Sequence, residues 1–143
     1  MKNVIVSACL LGDKCRYDGK SKECETVLKI KERFNLIPVC PEILGEMKTP
    51  RAPSEICNGR VISKTGEDNT KYFKAGAEIV LEIAKKNNCR TAILKEKSPS
   101  CGFGKVYDGS FSGTLTDGNG VTAQLLLENG IQIFGETEAE KIK

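Results

Sequence analysis

Apolar positions along the chain recur in two rhythms. Val4 to Ser7, Leu36 to Val39, Thr91 to Leu94 and Ile131 to Phe134 are short apolar runs of strand length, rich in β-branched residues. Between them the spacing becomes helical. Thr26 to Phe34 offers Val27, Leu28, Ile30 and Phe34, and Thr70 to Lys86 offers Phe73, Ala77, Val80 and Ala84 with Ile79 and Ile83 beside them. Val121 to Glu128 is apolar and is closed by Asn129-Gly130, a helix C-cap signal just ahead of the fourth strand. Strands that alternate with helices predict an α/β fold whose parallel sheet is covered on both faces. Two segments fall outside the scheme: Glu42 to Thr65, with Pro50, Pro53, Gly45 and Gly59, and the Gly- and Ser-rich stretch Ser98 to Gly120, with Pro99. Both read as long loops, and structureless stretches of about 20 residues in a compact domain usually serve function.

Length and composition narrow the classes. The 143 residues fit one domain, 1–143, large enough to bury a core without disulfides or metal, so a bound metal would serve chemistry. The 22 basic and 19 acidic residues leave only +3, too even for a dedicated nucleic-acid or membrane-surface binder, and argue against a whole tRNA as partner. No apolar run approaches the roughly 20 residues of a spanning helix, and Met1 to Leu11 is too short for a secretory signal, so the chain reads as cytoplasmic. Seven cysteines make an odd count, and in a reducing compartment they are metal ligands or reactive groups more often than disulfides. The absence of histidine excludes Ser-His-Asp, Cys-His and imidazole-metal schemes. With no C-x-x-C pair a thiol redox protein is disfavoured, and with no G-x-G-x-x-G after the first strand so is a dinucleotide cofactor.

The cysteines acquire positions on this map. Cys9 follows the first strand by two residues, Cys40 ends the second, and Cys101 lies in the loop after the third. The carboxyl ends of the strands of an open parallel sheet share one edge, where ligands bind, so three thiols far apart in sequence are expected to converge. Cys24, Cys57 and Cys89 read as bystanders. Cys15 is near enough to Cys9, through Gly12-Asp13-Lys14, to reach the same edge and stays open as a fourth ligand. The competing reading makes these thiols buried small hydrophobes. Pro41 suits the first position of a helix and sets Glu42 at a helix start beside Cys40. Ser98-Pro99-Ser100-Cys101-Gly102 offers two hydroxyls and a thiol, with Pro99 holding Ser98 extended and Gly102 permitting a tight turn.

Four motifs then carry a resemblance. Ser7-Ala8-Cys9-Leu10-Leu11-Gly12 with Arg16-Tyr17-Asp18-Gly19, Pro38-Val39-Cys40-Pro41-Glu42 running to Gly45, Thr49-Pro50-Arg51, and Leu94-Lys95-Glu96-Lys97-Ser98-Pro99-Ser100-Cys101-Gly102 together resemble the thiouracil desulfidase family. The resemblance spans Val4 to Phe134 and implies a compact member: a Rossmann-like three-layer α/β domain with a mostly parallel sheet. It also implies a 4Fe-4S cluster on Cys9, Cys40 and Cys101 with one iron open, and catalytic roles for Glu42 and Ser98. Family members often carry Val where this chain has Cys15, which argues against an essential fourth thiol.

The implied activity is removal of sulfur from a thiopyrimidine, thiouracil or thiouridine monophosphate. The thiocarbonyl sulfur meets the open iron, water attacks the carbon with Glu42 as general base, and Ser98 orients the substrate or relays a proton. The products are the oxo-pyrimidine and hydrosulfide, without net electron transfer. Arg16, Tyr17, Arg51 and Ser100 are the expected substrate contacts: each guanidinium reads equally as a phosphate ligand or as a solvated or ion-paired surface residue, and Tyr17 equally as a stacking partner for the base or as a core or hinge residue. The start of the Val121 helix, with Gly118, Gly120 and Thr122, offers amides for the same phosphate. A protein of another class, one that binds metal or sulfide without turnover, would use the same cysteines.

Overall fold

The computed structural model describes residues 1–143. Four strands, β1 (Lys2–Ser7), β2 (Phe34–Val39), β5 (Thr91–Leu94) and β8 (Gln132–Gly135), form an all-parallel sheet in the order β2-β1-β5-β8. The alternation of side chains along a strand sorts the core into two layers. Ile5, Ala92 and Leu94 face one side with Val80 and Ala84 of α3 (Thr70–Lys86) and Ala123 and Leu126 of α4 (Val121–Glu128). Val4, Val6 and Ile93 face the other with Val27 of α1 (Glu25–Lys29), Ile30, and Ala139 and Ile142 near the C-terminus. The expected three-layer α/β architecture is the one observed. Pro38 sits in β2, opposite Val6, where an edge strand tolerates the missing amide donor. No helix is long and apolar enough to cross a membrane.

Three expectations need correction. The helix over Thr26 to Phe34 stops at Lys29, continues as a 3-10 turn over Ile30–Glu32, and gives up Phe34 to β2, where it pairs with Lys2. Ladder pairing to β1 outweighs helical spacing at that end. The other two concern the long loops, each of which contains a hairpin. β3 (Ser54–Cys57) and β4 (Arg60–Ser63) are joined by Asn58-Gly59 with φ of 49° and 77°, the doubly positive pair a tight two-residue hairpin turn needs. β6 (Lys105–Tyr107) pairs with β7 (Leu115–Asp117) across a longer loop.

The short helix α2 (Pro41–Leu44) is held against α3 by two glycines. A methyl group on Gly76 would overlap the Pro41 carbonyl, and one on Gly45 would overlap the Tyr72 carbonyl. Backbone meets backbone there, and the contact fixes the height at which α2 leaves the sheet edge.

Candidate active site

At the carboxyl ends of β1, β2 and β5 lies a cavity of about 400 Å³. Its walls include Ser7 from β1, Cys40 and Glu42 from the start of α2, and the loop Lys95 to Cys101 after β5. The two hairpins close its sides with Glu55, Tyr107 and Phe111. All nine candidate residues, Cys9, Arg16, Tyr17, Cys40, Glu42, Arg51, Ser98, Ser100 and Cys101, line this one cavity, and so does Cys15. Cys24, Cys57 and Cys89 do not; Cys89 packs in the core with Val80 and Ala84, and Cys24 against the opposite layer.

Local structure explains each placement. β1 ends at Ser7 and turns into a 3-10 helix, Ala8–Leu11, that buries Cys9 and closes on Gly12 at φ 103°, a conformation open to glycine. Cys40 is the N-cap residue of α2 and Pro41 occupies its first turn, so Glu42 projects beside the thiol. The Cys101 turn is anchored from behind. The first amides of α4 donate to it, Val121 to the Pro99 carbonyl at 2.9 Å and Thr122 and Ala123 to the Ser100 carbonyl at 2.8 and 3.2 Å. That use of the helix start corrects the expectation of a phosphate site there: its amides are spent on the Cys101 turn. Gly120 is required at the contact, because a Cβ would stand 2.5 Å from the Ser100 carbonyl carbon.

The thiols form one neighbourhood without a disulfide; all seven cysteines are free. Cys40 Sγ donates to the Cys15 carbonyl at 3.7 Å. The Cys15 thiol is favoured as thiolate by Cys40, disfavoured by Cys9 and by burial, and ends at about 11. The contact with Cys15, then burial, raise Cys40. Burial pushes Cys101 up to about 12 against the hydroxyls of Ser7 and Ser100. A group of neutral thiols facing a cavity is a soft donor set that a thiophilic metal centre would deprotonate on binding. No three of the Cys, Asp or Glu side chains gather tightly enough to hold a single ion. A cubane takes one cysteine per iron and needs thiols around a larger body; Cys9, Cys40 and Cys101 reach this cavity from the segments that follow β1, β2 and β5.

Arg51 is held inside the protein. Its side chain is 6% exposed and its donors are engaged within the protein. Nε donates to Glu42 Oε1 at 3.0 Å, Nη1 to the Lys48 carbonyl and Thr49 Oγ1, and Nη2 to the Cys15 carbonyl at 2.9 Å. The planar fork thus ties the carboxylate to the segment bearing Cys15. Of the two readings for Arg51, phosphate ligand or ion-paired residue, the structure shows the ion pair, with Glu42, and places it in the interior rather than on the surface. Arg16 makes no ion pair and lies 5.9 Å from the Tyr17 ring centroid, which leaves its charge free for a ligand. Lys95 is paired with Glu136 at 2.8 Å.

Glu42 Oε2 accepts from Ser100 Oγ at 2.9 Å, and Ser98 Oγ is 3.0 Å from Ser100 Oγ. Ser98 Oγ also accepts the amides of Ser100 and Cys101, each at 3.1 Å, so it caps the turn as well as facing the cavity. Sequence reasoning missed Tyr107, Phe111 and Glu55, which the hairpins bring in. Asn58-Gly59 was a readable hairpin signal for Glu55, and Asp108-Gly109 a readable turn signal in the longer β6–β7 loop.

Comparison with known proteins places this cavity in context. The sequence profile of the 2-thiouracil desulfurase family matches residues 4–138. The Bacillus subtilis (strain 168) protein YbbK is 40% identical over 149 residues, 97% of this chain and 99% of its own length. A solved structure of TudS, a 4Fe-4S-dependent thiouracil desulfidase, matches with a TM-score of 0.90 at 41% identity, covering 99% of this chain and 95% of that one.

Proposed function

The chain belongs to the 2-thiouracil desulfurase family, and we propose that it acts as an iron-sulfur-dependent desulfidase on thiouracil, with a 4Fe-4S cluster held by Cys9, Cys40 and Cys101. The observation that carries this reading is that those three cysteines share one cavity with Glu42 and Ser98. The soft, unpaired donors suit iron and sulfur, and the TudS likeness supports the cluster type. Cys15 stands beside Cys9 and Cys40, and in this reading it is a neighbour of the ligand set.

When bound, the cluster supplies Lewis acidity toward the thiocarbonyl sulfur. The protein's own groups do the rest. Arg51 holds Oε1 of Glu42, which keeps the carboxylate turned to the cavity, where it takes a proton from the attacking water. Ser98 stands at the cavity wall to orient the ring or give it a proton. Tyr17 and Phe111 offer aromatic surface to the base, and Arg16 offers a free cation to a phosphate if the substrate is thiouridine monophosphate. The walls of the hairpins and the Cys101 turn limit the water around the reacting carbon.

The test uses holoenzyme reconstituted without oxygen. Wild type is expected to release sulfide from thiouracil, and Glu42→Ala to retain its iron but lose at least about 100-fold in kcat, the usual worth of a general base. Undiminished turnover by Glu42→Ala would remove Glu42 from the mechanism. Iron loading with no turnover by wild type would favour a protein that binds metal or sulfide and does no chemistry.

A further inference from the structure

We propose that Ser100 is a positioning residue that relays a proton between Glu42 and Ser98, and that it does not contact substrate as its place in the motif suggested. The inference rests on the desulfidase reading of the same site. A serine hydroxyl has one proton to give. Ser100 Oγ donates to Glu42 Oε2 at 2.9 Å, so the Ser100 proton points at Glu42. Ser98 must then donate across the 3.0 Å to Ser100. Ser98, Ser100 and Glu42 therefore form one continuous hydrogen-bonded chain. As Glu42 takes the proton of the attacking water, both hydroxyls reverse, Ser98 exchanging one of its two amide donors for Ser100, and the Ser98 proton turns outward to the cavity.

Burial restricts the path. Ser100 is 2% exposed, so solvent has little access to its hydroxyl. Arg51 occupies the other carboxylate oxygen, leaving Oε2 as the oxygen joined to the serines. The longer 3.7 Å approach of Ser100 Oγ to Cys101 Sγ is too weak to compete for the proton.

The relay completes the reaction's proton balance. Glu42 takes one proton from water as the new carbon-oxygen bond forms. That proton equivalent passes to Ser100, the Ser100 proton to Ser98, and the Ser98 proton to the sulfur whose bond to carbon breaks. The proton left on the new oxygen goes to solvent as the carbonyl forms. Hydrosulfide leaves, both serines end neutral, Glu42 ends ionised, and no electrons enter or leave the protein.

The experiment compares wild type, Ser100→Ala and Ser100→Thr as reconstituted holoenzymes on thiouracil, with iron content measured on the same samples. Ser100→Ala is expected to keep its iron and its KM while kcat falls about 100-fold, within the range for a proton-transfer group. Its rate in mixed light and heavy water should become linear in deuterium fraction where wild type curves, because a relay moves several protons at once. Ser100→Thr, which retains the hydroxyl, should recover most of kcat. A Ser100→Ala kcat within threefold of wild type overturns the relay, as does loss of iron in step with loss of rate, since Ser100 would then merely support the Cys101 turn. A second readout needs no turnover: in apoprotein labelled at glutamate, Ser100→Ala should move the infrared carboxylate band that Glu42→Gln removes. An unmoved band overturns the relay, whereas a moved band with a wild-type holoenzyme that does not turn over would show the Ser100–Glu42 contact intact and place the failure in the desulfidase reading.

Discussion

Replacing Gly76 by Ala sets two effects against each other. In an isolated helix the change would stabilise by about 1 kcal/mol, because Ala is the better helix former. Here Gly76 lies inside α3, where it meets the Pro41 carbonyl of α2, and the added methyl overlaps that oxygen. The obstacle is backbone and cannot rotate aside. Overpacking of this kind costs about 1–3 kcal/mol, and a backbone clash falls at or above the upper end. The clash wins, for a net loss of about 2 kcal/mol. Unfolding entropy of about 2.1 cal/mol/K per residue makes that a fall in Tm of about 7 °C for 143 residues. Relief requires α2 to lift from α3, carrying Cys40 and Glu42 off the cavity wall. Calorimetry of the apoprotein reads the stability, and iron uptake reads the displacement. A Gly76→Ala protein at least as stable as wild type, with undiminished iron uptake, would refute the packing argument.

Three further outcomes follow from the same geometry. Arg51→Ala leaves the largely buried Glu42 carboxylate unpaired and frees two carbonyls, so denaturant unfolding should show a loss of about 3 kcal/mol; Arg51→Lys should recover only part, since an ammonium cannot replace the fork. Apoprotein stability should fall as pH rises above about 9, where unfolded thiols ionise while Cys15 and Cys101 stay protonated until about 11 and about 12. Their raised values mean that stability is present below pH 9 and lost through that window, and a Cys101→Ala protein should show a shallower decline in pH-dependent melting. Cys24→Ala and Cys57→Ala, outside the cavity, should leave iron content at the wild-type level in a colorimetric assay.

What the sequence made legible was the sheet edge. Short apolar runs rich in β-branched residues marked β1, β2, β5 and β8, and the rule that parallel strands bind ligands at their carboxyl ends brought Cys9, Cys40 and Cys101 together. Pro41 marked the start of α2 and therefore the position of Glu42. Less legible was anything set by tertiary pairing. Phe34 fits a helix face, but register with Lys2 makes it the first residue of a strand. Arg51 reads equally as a phosphate ligand or a surface ion pair until the fold brings Glu42 and the Cys15 carbonyl around it. Amides at the start of α4 look available until the Cys101 turn is seen to occupy them. Asn58-Gly59 is a different case: the hairpin signal was present, and the surrounding prolines hid it. Cys15 belonged to the edge on spacing, and its place between Cys9 and Cys40 could come only from the folded chain.

The most direct test of the central claim is an anaerobic reconstitution of wild type beside Cys9→Ala, Cys40→Ala, Cys101→Ala and Cys15→Ala, with iron content and sulfide release from thiouracil measured on each. The account predicts about four irons per chain and turnover in wild type and Cys15→Ala, with both lost in the other three. Full iron loading in any one of those three, or loss of the cluster in Cys15→Ala, would contradict the assignment of Cys9, Cys40 and Cys101 as the ligand set.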